Sequence, residues 1–190
     1  MISNFGNFYA VAIGSLFINF LPMLPKQLLL LNLLSDFPMM AIAFDRVSDR
    51  ETAHPQRYDF RSLFIAFITL GLVSTFFDFV YFGLFYRISP EVLQTNWFIA
   101  SVITELLLLV SIRSWQPVEK AGRPATVIVI LSAAAFALTL ALPVIPWTAD
   151  LFEFTRPTPA HLALIVSLAV LYVVVTELVK RLLARFLELS

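Results

Sequence analysis

Apolar residues run through this chain in unbroken stretches of about twenty, separated by short polar connections. Such a stretch carries more apolar surface than water tolerates, and in lipid its backbone must satisfy its own hydrogen bonds, which makes it a helix. The alternating apolar and polar pattern of a membrane β-barrel is absent. The runs predict six spans, over about residues 5–21, 27–44, 62–86, 97–112, 125–143 and 162–183. The expected fold class is therefore all-α, a polytopic membrane helix bundle of about six transmembrane helices. Six spans of about 22 residues would occupy roughly 130 positions. In a chain of 190 residues that leaves only short connections, and a single membrane domain over 1–190 is expected.

Composition agrees. The chain is 59% hydrophobic and 14% charged, against about 45–50% and about 25% in soluble domains. It has no cysteine, which excludes disulfides and thiolate metal sites. Two histidines leave little for zinc or copper. Five scattered glycines form no phosphate-cradling loop. Thirteen basic residues balance thirteen acidic ones, so no nucleic acid partner is expected.

Positive charge sets the expected orientation. With both termini in the cytoplasm, the inner side holds Arg46, Arg50, Arg57, Arg61, Arg113, Lys120, Arg123, Lys180, Arg181 and Arg185. The outer side keeps only Lys26, Arg87 and Arg156. Trp97 and Trp147 would mark outer boundaries. The loop over 45–61 would be cytoplasmic, a solvated connector or a docking surface, with His54 and also His161 as solvated surface residues. The first span starts almost at Met1 without the basic flank of a secretory signal. It reads as a span, in a chain expected to be cut or split from something longer.

Polar residues inside the spans need a reason, because a charge at mid-membrane costs about 2.5–3.5 kcal/mol on insertion scales. In Asn32-Leu-Leu-Ser35-Asp36-Phe-Pro38 the spacing of three and four predicts one shared helical face. Pro38 has no N–H, which frees the carbonyl of Leu34. A carboxylate, an amide oxygen, a hydroxyl and a freed carbonyl are hard oxygen donors suited to Mg²⁺, Ca²⁺, Na⁺ or H⁺. A helix-packing hydrogen-bond network around a proline kink is the alternative. Asn4 and Asn7, three apart on the first span, would face the second span, since short connections make consecutive helices neighbours. Glu105, with Ser101 one turn before it, reads equally as a ligand or proton carrier and as a structural acid paired with a neighbouring hydroxyl. Asp78, with Ser74 one turn before it, reads as structural. Glu177 and Arg181 have the spacing of a helix ion pair.

Leu31-Asn32-Leu33-Leu34-Ser35-Asp36-Phe37-Pro38 resembles the Asn-Leu-x-(Thr/Ser/Tyr)-Asp segment in the sixth transmembrane helix of P-type cation-transporting ATPases. Ser3-Asn4-Phe5-Gly6-Asn7 resembles the corresponding stretch of the fifth. Pro55-Gln56-Arg57-Tyr58-Asp59, Phe77-Asp78 and Thr176-Glu177-Leu178-Val179-Lys180 resemble the bacterial magnesium-transporting branch, although Tyr58 stands where that branch usually has tryptophan. The resemblance covers essentially the whole chain, from the middle of the fifth helix through the tenth.

It implies metal ligands at Asn4, Asn7, Asn32, Ser35 and Asp36, and, by similarity to calcium pumps, at Glu105. It implies Mg²⁺ as the transported ion, the N-terminal part of the ATPase and membrane lipid as partners, and a bacterial inner membrane as the location. The family's Asp-Lys-Thr-Gly phosphorylation motif does not occur in these residues. No catalytic residue and no ATP site are expected in this chain, which would hold part of an ion site without hydrolysing ATP alone. Two other readings stay open: a free-standing membrane accessory protein, and an ion-conducting helix bundle without ATPase coupling.

Overall fold

A computed structural model describes residues 2–45, 60–113 and 124–186. Among these residues the secondary structure is helical throughout. α1 is Ile2–Phe17 and α2 is Pro25–Met40, which tightens into a 3-10 turn over Ala41–Phe44. α3 is Phe60–Phe85, α4 Pro90–Ile112, α5 Thr126–Ala141, α6 Pro146–Phe152 and α7 Pro159–Phe186.

The sequence starts four of these helices, α2, α4, α6 and α7, with proline at a position whose N–H would go unused. Pro25 opens α2, where the Leu24 N–H donates to Gln27 Oε1 at 3.1 Å. Pro90 opens α4, where Ser89 caps the end by accepting the Val92 N–H at 3.2 Å. This start places Trp97 two turns inside α4. Trp97 is fully buried instead of sitting at an outer boundary, because the helix begins before the purely apolar run does.

α4 is the central helix. Every residue from Leu93 to Leu106 is buried, as expected of a helix surrounded on all sides. α2, α3, α5 and α7 pack around it. α1 packs chiefly on α3 and not on α2, so the expectation that consecutive helices are neighbours fails here. The connection between them is the reason: residues 18–24 lie over the start of α4, where Gln94 Nε2 donates to the Leu21 carbonyl at 2.8 Å. That anchor splays the two helices apart.

Lengths and composition give four helices able to cross a membrane, Pro25–Phe44, Phe64–Phe85, Pro90–Ile112 and Pro159–Ala184. α5 and α6 together make a fifth if the bent pair counts as one span; they meet at 86°. α1 is a shorter apolar helix over Asn7–Phe17. The count among the described residues is thus four or five, short of the expected six, because α1 is short and the fifth run breaks between Ala141 and Pro146. The Thr148 hydroxyl stabilises that bend by donating to the Leu142 carbonyl at 2.6 Å. The outer surface is apolar: Leu16, Phe17, Leu29, Phe76 and Val170 are all largely exposed, as lipid contact requires.

One side-chain expectation also changes. His161 is half-buried, with its ring 5.1 Å from that of Phe85 and Nδ1 3.3 Å from Asn96 Nδ2, because α7 carries it against α3 and α4. Glu177 pairs with Lys180 at 2.8 Å and accepts the Ser111 hydroxyl, because Lys180 turns inward at the end of α4. Residues 46–59, with His54 and Tyr58, and residues 114–123, with Lys120 and Arg123, lie outside the described residues.

Candidate functional site: polar groups inside the helix bundle

Helical rotation decides what α2 presents. Its buried residues are Gln27, Leu31, Leu34, Ser35 and Pro38, which form the stripe turned toward α4 and α5. Adjacent helical residues are about 100° apart. Burial of Ser35 therefore carries Asp36 to the outside: Ser35 is buried, Asn32 half-buried and Asp36 exposed. The three do not share one inward face. Ser35 donates to the Leu31 carbonyl at 3.1 Å, a bond along its own helix. The α-helix continues past Pro38 to Met40 before tightening, so the proline marks a change of pitch and not an end. Asp36 stands midway along a helix long enough to span, uncovered by the rest of the described chain.

α1 reaches a different partner. Asn7 is buried, and its Nδ2 donates to Glu105 Oε1 at 2.7 Å. Glu105 lies in the all-buried stretch of α4, two turns beyond Trp97 and one beyond Ser101 on the same face. The bond joins the first helix to the central one inside the membrane, with the short length of an interaction that involves a carboxyl group. Asn4 lies on α1, but its side chain is outside what is described. The structure thus brings Asn7 and Glu105 together, and it leaves Asn32 and Asp36 on the rim of α2.

A second buried carboxyl group lies on α3. Asp78 Oδ1 accepts the indole N–H of Trp97 at 2.8 Å, and Phe82 packs edge-on against the same indole at 4.6 Å. This supports the structural reading of Asp78 in part: one oxygen fixes the register of α3 on α4. Sequence reasoning did not connect the two, since a tryptophan placed at a boundary has no reason to reach an acid inside a span.

Ion pairs secure the C-terminal end of α4. Lys180, almost fully buried, donates to the Ser111 carbonyl at 2.7 Å, the last turn of α4, where a cation complements the helix dipole. Arg113 donates to Asp45 Oδ2 at 2.8 Å, while Asp45 Oδ1 accepts the Ala125 N–H at 2.9 Å. The far ends of α2, α4, α5 and α7 are held together this way. The i,i+3 spacing of Glu177 and Lys180 was the one available sign of this cluster in the sequence.

Among the described residues no group of three His, Cys, Asp or Glu side chains is arranged to hold a metal. The oxygens are instead distributed: the Asn7–Glu105 pair is inside, and Asn32 and Asp36 are at the margin. One open apolar groove, of about 390 Å³ between α1 and α3, is lined by Ile13, Gly14, Phe82 and Gly83 and touches none of these residues.

The family described as "Cation transporting ATPase, C-terminus" matches residues 20–182. The protein named "Magnesium-transporting ATPase, P-type 1" of Escherichia coli strain K12 is 32% identical over 185 residues, 94% of this chain and 20% of that protein. The protein of the same name from Salmonella typhimurium strain 14028s is 31% identical over 185 residues, with the same coverage of 94% and 20%. The chain spans about a fifth of the length of the curated relatives it matches.

Proposed function

The chain belongs to the cation-transporting ATPase C-terminal family, and from that premise we propose that it forms the C-terminal membrane part of an ATP-driven magnesium transporter of a bacterial inner membrane. Asp36 carries the reading. It is an exposed carboxylate midway along a span, where contact with lipid costs about 2.5–3.5 kcal/mol. That cost is relieved when the face of α2 that bears Asn32 and Asp36 meets further membrane helices and a cation between them. The remaining part of the ATPase supplies those helices, together with the aspartate to be phosphorylated and the nucleotide site.

In this reading Asp36 provides the charge at the site. Asn32 provides a neutral amide oxygen beside it, and Asn7 and Asn4 on α1 and Ser35 on the inner side of α2, which stand away from that face, would join it when the remaining helices bring α1 and α2 together. Mg²⁺ loses its water reluctantly and is bound through one or two carboxylates. One exposed carboxylate with amides around it suits a partly hydrated ion better than a closed cage does. Glu105 acts on α1: it holds the Asn7 amide nitrogen, which fixes the direction of the Asn7 carbonyl oxygen. The ion pair of Arg113 with Asp45 and the bond of Lys180 to the Ser111 carbonyl keep α2, α4 and α7 in one unit as the site changes access.

The test is co-expression with the N-terminal portion that carries the Asp-Lys-Thr-Gly motif. Magnesium-stimulated ATPase activity and Mg²⁺ uptake into vesicles are expected only when both parts are present. Uptake by this chain alone, without ATP, would instead identify an ion-conducting bundle.

A further inference from the structure

Asp36 is exposed, so the α2 backbone and not a packed side chain sets its position. That backbone has a weak joint next to it. Pro38, two residues on, cannot donate to the Leu34 carbonyl. From Ala41 to Phe44 the helix then tightens into the 3-10 turn, whose hydrogen bonds are poorer. Before the joint, Leu31 and Leu34 belong to the main core. After it a separate small cluster takes over, in which Ala41, Leu109 and Ile128 are buried. An alanine and two aliphatic side chains bury little apolar surface, so packing alone holds this end weakly.

Polar bonds provide the missing grip. Asp45 ends the 3-10 turn with its side chain only 11% exposed. Its two oxygens reach two other helices: Oδ2 accepts from Arg113 Nη1 at 2.8 Å, and Oδ1 accepts the Ala125 N–H at 2.9 Å. Arg113 is the C-cap of α4 and Ala125 the N-cap of α5. A cation therefore stands at the negative end of one helix and the carboxylate at the positive end of the other. Charged hydrogen bonds of this length are strong and directional. Three helix ends meet on one carboxylate, across the joint from Asp36.

We propose that Asp45 is a positioning residue for the cation site: it locks the last turn of α2 to α4 and α5, and so fixes the depth and rotation at which Asp36 stands. The inference rests on the reading of Asp36 as the ligand. Asp45 itself touches no ion. Once it is released, the segment around Pro38 turns and carries the Asp36 carboxylate out of line with the helices that complete the site.

The test uses the pump assembled with the N-terminal portion. Asp45→Ala is expected to raise the Mg²⁺ concentration for half-maximal ATPase activity about tenfold, the size of effect typical of groups that orient metal ligands. The maximal rate at saturating Mg²⁺ is retained, as for a loss of binding alone. A merely structural role would lower the maximal rate and leave the half-saturation unchanged. Ala125→Pro serves as the second variant should Asp45→Ala fail to insert. Ala125 has φ −56° and ψ 141°, which proline adopts, so the substitution deletes the N–H donated to Asp45 and opens no cavity. A smaller shift in the same direction is expected. The chain has no cysteine, so spin labels at Leu33 and Ile130, both exposed, report the distance from the ligand-bearing part of α2 to α5 in lipid bilayers, without ATP or Mg²⁺. That distance is expected to be narrowly distributed, and to shift or broaden in Asp45→Ala or Ala125→Pro. Unchanged distances, or an unchanged half-saturation in the variants that insert, overturn the proposal. Normal transport by Asp36→Asn removes the ligand reading and this inference with it, whereas transport abolished in Asp36→Asn but untouched by the Asp45 and Ala125 variants removes this inference alone.

Discussion

The side-chain amide nitrogen of Asn7 lies 2.7 Å from Glu105 Oε1, a hydrogen bond across 98 positions of sequence that joins α1 to the buried centre of α4. Both residues are almost fully buried, so the bond forms where no water competes for it. It explains why a short helix with an amide near its start is held against the bundle at a fixed rotation.

Removing that bond should loosen α1. Asn7→Leu leaves the Glu105 oxygen without this donor, at an expected cost of about 1–3 kcal/mol. A double-mutant cycle of Asn7→Ala with Glu105→Gln should give a coupling energy of about 0.6–1.7 kcal/mol, the range of hydrogen bonds between membrane helices. Reversible unfolding in lipid–detergent mixtures measures both.

Asp36→Asn separates function from stability. Because Asp36 is exposed, the substitution should change stability by no more than about 0.5 kcal/mol. Insertion should be normal, while magnesium-dependent turnover with the N-terminal portion supplied is abolished. Normal transport by this variant would remove Asp36 from the ligand set.

Trp97→Phe keeps most of the ring packing on Phe82 and deletes the indole donor to Asp78. The expected loss is about 1–3 kcal/mol, the cost of leaving a buried acceptor unpaired. Chemical denaturation compared with wild type reads it, and Trp97→Phe combined with Asp78→Leu should recover part of the loss.

Gly14 and Gly83 line the same groove and should respond in opposite ways. A Cβ at Gly14 would lie 2.8 Å from Phe82 Cε2 and 3.2 Å from Pro22 Cγ, whereas a Cβ at Gly83 meets nothing within 4 Å. Gly14→Val should cost about 1–3 kcal/mol through overpacking of α1 on α3. Gly83→Ala should be neutral or slightly stabilising, since alanine is about 1 kcal/mol better than glycine within a helix. Thermal unfolding of the two variants side by side checks the contrast.

Lys180→Met should be strongly damaging at the C-terminal end of α4. It breaks a buried ion pair with Glu177 and a bond to the Ser111 carbonyl, which places the cost at about 3–5 kcal/mol. Proteolytic sensitivity near the end of α7, measured against wild type, should rise accordingly.

Length and hydropathy alone determined that the chain is helical and membrane-embedded, because a long apolar run has one way to satisfy its backbone in lipid. The short motifs around Asn7, Asn32 to Asp36, Pro55 to Asp59, Asp78 and Thr176 to Lys180 together showed the family resemblance. Position along the chain cannot say which way a helix is turned. α2 has polar groups at three successive offsets, and only packing against α4 and α5 decided that Ser35 goes inside and Asp36 outside. Packing likewise decided that Asn7 meets Glu105 and not Asn32, that Trp97 is buried against Asp78, and that Lys180 turns inward. Each depends on contacts between residues distant in sequence. The energy of such contacts exists only once the helices are assembled, so no local pattern carries it.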